Sequence, residues 1–94
     1  MRFAGKKARQ AGDWKGAMEL WKKEALNSDK KIAWHANYNM GVACEREGNL
    51  DMALVWAKKA YEIGHKSAAG QYISALNYRI IEKQRADEQM KGKQ

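Results

Sequence analysis

Proline is absent from this chain, so nothing in the backbone forbids long uninterrupted helices. β-branched residues are few and scattered, which argues against a sheet. The single cysteine, Cys44, excludes an internal disulfide and a cysteine-based zinc site. It falls on the apolar side of a helical pattern with no base beside it, the place of a small buried hydrophobe. No apolar run is long enough to span a bilayer, and none follows Met1-Arg2-Phe3 to make a secretory signal.

The motifs of catalysis are missing too. There is no glycine-rich phosphate loop, no Gly-x-Ser-x-Gly elbow and no His-Glu-x-x-His. His35 and His65 lie far apart in the chain, with no cluster of ligand-type residues at metal-binding spacing. Glu45 and Glu47 diverge on a helix, because i,i+2 side chains do not face one another. These absences predict a non-enzymatic protein with no metal and no cofactor.

Positive charge is in excess, at +7 net, but it is uneven. Residues 1–31 carry +5, residues 32–67 are neutral and residues 68–94 carry +2. Basicity therefore belongs to the two ends. Lys6, Lys7, Arg9, Lys22, Lys23, Lys30 and Lys31 can be read as a solvated basic surface or as contacts to nucleic acid. No alternation of basic and aromatic residues favours the second.

Alanine, lysine, glutamate and methionine are plentiful, and the apolar residues recur at helical period. Five helices are expected. A short basic one runs from Phe3 to Gln10 and ends at Gly12-Asp13. The next covers Trp14 to Leu26, with Trp14, Ala17, Met18, Trp21 and Ala25 in one stripe. Asn27-Ser28-Asp29 makes a turn and cap. The third helix runs from about Lys30 to Glu47 with a wide apolar arc, as for a helix with neighbours on two sides. Gly48-Asn49 breaks the chain before a fourth helix over Leu50 to Ile63, which Gly64 closes as the residue just past its end. Ser67 caps the fifth, expected over Ala68 to Arg85, and a flexible polar tail occupies 87–94.

The chain repeats itself. Shifted by 36 residues, Gly5 falls on Gly41, Gly12 on Gly48, Trp14 on Leu50 and Ala17 on Ala53; shifted by 34, Tyr38 falls on Tyr72 and Cys44 on Tyr78. A helix–turn–helix at this period resembles the tetratricopeptide repeat (TPR) family. Met40-Gly41 stands where that family has Leu-Gly, Gly48 stands at its turn, and Ala53 and Ala60 hold its small positions. Asn37, Cys44 and Ala57 replace its usual Trp, Tyr and Phe, and His65 stands where proline is common. The resemblance implies an all-α, right-handed solenoid of antiparallel helix hairpins over 1–86: one repeat at about 1–27, a second at 30–64 and a capping helix at 67–86. The runs Gly12-Asp13-Trp14, Tyr38-Asn39-Met40 and Glu47-Gly48-Asn49-Leu50-Asp51 also resemble the C-terminal repeats of a lipoprotein family of the Bacteroidetes, to which no activity is attached. That likeness implies a cell-envelope or periplasmic location; without it the expectation is cytoplasmic.

In such a stack the first helix of each repeat lines a concave side. That face would carry Tyr38, Asn39, Val42, Glu45 and Arg46, then Tyr72, Ile73, Leu76, Asn77 and Arg79. Aromatics supply area, Asn pairs with peptide backbone and Arg reads carboxylates, a combination suited to a peptide or protein segment. The occupant is either a foreign peptide or a segment of the protein's own chain. Trp34 is either packing or an anchor at the groove edge, while Trp14, Trp21 and Trp56 read as core. The functional expectation is a protein–protein interaction or assembly module. The alternative is a basic module that binds an anionic polymer or a membrane surface.

Overall fold

The computed structural model describes residues 14–92, so the expected helix at Phe3–Gln10, the Asp13 cap and the basic residues Lys6, Lys7 and Arg9 lie outside the described residues. Within that range the chain forms four helices: α1 (Trp14–Glu24), α2 (Lys30–Arg46), α3 (Leu50–Gly64) and α4 (Ser67–Gly92). Each packs on the next in sequence, α1 on α2, α2 on α3 and α3 on α4. The result is a compact all-α arrangement of the helical-repeat kind.

Local chemistry sets the joints. Asp29 N-caps α2, its carboxylate accepting from the Lys31 N–H at 2.9 Å. Gly48 takes a left-handed conformation (φ 83°) and Asn49 caps α3, accepting from the Met52 N–H at 3.1 Å. That break falls where the sequence places it. The end of α3 does not. Gly64 is the last residue of the helix, and His65 adopts the left-handed cap (φ 50°). The physical reason is contact. A β-carbon on Gly64 would sit 2.5 Å from Cγ of Trp34, so this glycine serves close packing and the cap falls to its neighbour.

Two further boundaries depart from expectation. Ser67 is the first residue of α4 rather than its cap, and the Lys66 carbonyl accepts from the N–H groups of Ala69 and Gly70. The expected tail from residue 87 is helical as far as Gly92. No glycine or proline interrupts Ala86 to Lys91, and strong helix formers fill the stretch. Every residue from Ile81 to Gly92 is exposed, so this last part rests on local propensity rather than packing.

The core is built from small side chains. Ala17, Trp21, Ala25, Ala36, Met40 and Ala43 form one cluster between α1 and α2. Cys44, Ala53, Ala57 and Leu76 form a second that joins α2, α3 and α4. Met18 and Trp56 touch both. Alanines at the crossings let helix axes approach closely, and Gly41 marks the tightest point. A β-carbon there would lie 3.1 Å from the Ala53 carbonyl oxygen and 3.3 Å from Cε2 of Tyr72, so three helices meet over it.

Two polar side chains are buried in this apolar setting. Asn37 donates to the Ala33 carbonyl at 2.8 Å and to the Ala25 carbonyl at 3.4 Å, tying the end of α1 to α2. Glu24 is only 2% exposed, and neither of its carboxylate oxygens has a hydrogen-bond partner among the described residues. A buried carboxylate without partners is costly.

Candidate functional site

Helix period places Trp34, Tyr38, Val42 and Glu45 along one side of α2. α4 brings Tyr72 and Arg79 against that side. The rings of Tyr38 and Tyr72 lie 5.1 Å apart, their planes inclined at 42°. Further along, Glu45 gathers two donors. The Tyr72 hydroxyl donates to Oε1 at 2.8 Å, and the Arg79 guanidinium donates to Oε2 in an ion pair. Burial, then the bond to Glu45, pushes the Tyr72 phenol well above its ordinary pKa.

The stack continues toward the start of α2. Trp34 meets Tyr38 edge-on at 6.4 Å, and its other neighbour is the His35 imidazole, stacked at 3.9 Å and 28°. Beside this pair a cleft of about 650 Å³ opens between the start of α2 and the end of α3. Trp34, His35, Ile63 and Gly64 line it, and Lys30, Lys31 and Lys66 stand around it.

The expected groove residues do not all share one open surface. Leu76 is fully buried in the second core cluster, with Tyr72 and Ile73 packed against that cluster. Leu76 joins α4 to the α2–α3 hairpin instead of facing solvent, while Tyr72 and Ile73 stay half-buried. Arg46, one residue beyond Glu45 and so about 100° further round the helix, turns the opposite way and covers the Trp14 ring at 4.6 Å. Asn39 and Val42 are half-buried on α2, and Asn77 is exposed on α4. The accessible or half-buried part of the expected face is thus Tyr38, Asn39, Val42, Tyr72, Ile73 and Asn77, with Glu45 and Arg79 closing one end.

The cleft itself escaped the reading of the sequence, apart from Trp34 as one of two possibilities. One signal was present. Lys30 and Lys31 occupy the first turn of α2, where the helix dipole disfavours cations. Ile63, Gly64 and Lys66 join them only through the α2–α3 packing.

Cys44 is buried, and burial followed by the nearby charge of Glu47 raises its thiol pKa despite the opposing effect of Lys22. Among the described residues no group of three or more His, Cys, Asp or Glu side chains is placed to hold a metal ion, and no helix is long and apolar enough to cross a membrane.

No curated protein and no solved structure matches the chain. One family does. The profile of a domain of unknown function, DUF6340, matches residues 3–84, which takes in α1 to α3 and most of α4. With that span matched, the chain belongs to the DUF6340 family.

Proposed function

We propose that this chain is a TPR-like repeat module that serves protein–protein interaction or assembly and has no catalytic activity of its own. One observation carries the reading. Tyr38 contacts Tyr72 and Glu45 contacts Arg79, and the members of both pairs are 34 residues apart. Contacts between positions one period apart are what stacked repeats produce, since each unit meets the next through equivalent surfaces. In this reading α2 and α3 make one repeat, α4 begins the next as a capping helix, and α2 and α4 line the concave side of a right-handed stack. The face shared by α2 and α4, on which Tyr38, Asn39, Val42 and Asn77 are at least partly exposed, offers aromatic, apolar and amide side chains, which suits a peptide backbone and its side chains.

Selection of peptides from a random display library on the immobilised protein tests this. The expected result is a set of peptides whose binding persists as salt is raised and whose footprint, mapped by amide chemical shifts, falls on Asn39, Val42 and Asn77. Binding of oligonucleotides or anionic vesicles that collapses steeply with salt, with no peptide selected, would replace this reading with a basic anion-binding module.

A further inference from the structure

The lysine-rimmed cleft combines an apolar base with positive charge. Its base is apolar, formed by the half-buried Trp34 and Ile63, and Gly64 lets the indole lie flush against the backbone. Lys30, Lys31 and Lys66 complete its lining, and no aspartate or glutamate lines it. None of the three lysines makes an ion pair among the described residues. Two of them sit where they cost α2 stability, in its first turn. The left-handed cap at His65 turns the chain so that Lys66 follows directly on the cleft wall.

We propose that this cleft receives an apolar side chain from an acidic segment of a partner protein, whose flanking carboxylates face Lys30, Lys31 and Lys66. The inference rests on the repeat-module reading and deepens it by naming the partner's chemistry. Charge complementarity selects an anionic occupant, and the apolar base selects one that carries a side chain to bury. A nucleic acid strand fits less well. Base stacking needs an open aromatic face, whereas the Trp34 ring is already stacked on His35 and pressed against Gly64. Trp34 also meets Tyr38, so the cleft adjoins the face shared by α2 and α4.

The test is a titration of isotope-labelled protein with a short synthetic peptide, blocked at both ends, in which one phenylalanine is flanked on each side by glutamates. Saturable shifts are expected at the Trp34 indole N–H and the Ile63 methyl groups. The triple variant Lys30→Gln, Lys31→Gln, Lys66→Gln should weaken binding about tenfold, as the loss of three exposed charge pairs implies. Its melting temperature should be unchanged or higher, because the lysines are exposed and two of them oppose the helix dipole. Replacing the phenylalanine of the peptide by serine should weaken binding by a similar factor. The proposal is overturned if the serine peptide binds equally well, if inorganic phosphate or an oligouridylate moves the same signals as strongly, or if the phenylalanine peptide leaves Trp34 and Ile63 unmoved. Library-selected peptides that map to Asn39, Val42 and Asn77 while Trp34 stays silent would sink this inference and leave the repeat module standing.

Discussion

The indole of Trp34 rests on the backbone of Gly64, so close that a β-carbon there would fall 2.5 Å from Cγ and 2.7 Å from Cδ1. This contact joins the start of α2 to the end of α3 and builds one wall of the lysine-rimmed cleft. Gly64→Ala should therefore destabilise the fold by about 1–3 kcal/mol through overpacking, even though alanine is the better helix former. At the next residue the sign reverses. His65→Gly should raise stability by about 1 kcal/mol, because His65 holds a left-handed conformation that glycine adopts freely. Thermal unfolding of the two single variants measures both; equal shifts in the same direction would contradict this account of the joint.

Gly41 faces a harder obstacle than Gly64, since its nearest neighbour is backbone, the Ala53 carbonyl at 3.1 Å. A carbonyl engaged in the backbone ladder of α3 cannot swing aside. Gly41→Leu should cost about 3 kcal/mol or more, whereas Lys22→Ala, on the exposed side of α1, should stay within about 0.5 kcal/mol of the parent. Chemical denaturation of each variant decides the matter.

The Tyr72 hydroxyl and the Glu45 carboxylate act as one unit. Tyr72→Phe should lose about 1–2 kcal/mol, and a double-mutant cycle with Glu45→Gln should show positive coupling. The same contact makes stability depend on alkaline pH. The folded-state pKa of Tyr72 is raised, so the unfolded chain gives up that proton first. The contribution is complete below the ordinary tyrosine pKa of about 10 and declines as pH rises past it. In Tyr72→Phe the decline should be smaller, as read from melting temperatures taken across the alkaline range.

Glu24 makes the opposite kind of prediction. Its carboxylate is buried without a hydrogen-bond partner among the described residues, so removing the charge relieves a cost rather than breaking a bond. Glu24→Gln should raise the melting temperature, and Glu24→Leu, which removes the polar atoms altogether, should raise it further. A fall in both variants would show that the carboxylate is stabilising.

Much of the helical layout was legible because its causes are local. Asp29 and Asn49 are strong caps, Gly48 suits the left-handed turn, and Ala17, Trp21 and Ala25 mark a buried stripe by period alone. The wide apolar arc over residues 30–47 announced a helix with neighbours on both sides, which α2 has in α1 and α3. The departures came where a residue could serve two purposes. Gly64 read as a cap because glycine often is one, but its missing side chain serves the Trp34 contact. Leu76 read as groove lining, yet it is fully buried, because a helical stripe does not say which of its neighbours covers it. Asn37 and Glu24 gave no warning of burial, since polarity alone predicts exposure.

The order of small, apolar and capping residues was enough by itself to determine the number and approximate placement of the helices of residues 14–92 and that Gly41 must meet Ala53, because capping, period and side-chain size act within a turn or two of the chain. The tertiary structure alone decided that α4 closes over Leu76, that Glu45 is held by both Tyr72 and Arg79, and that Trp34, Ile63 and three lysines share a cleft. Those outcomes depend on how the faces of separate helices are rotated against one another, a quantity that side chains distant in sequence set together.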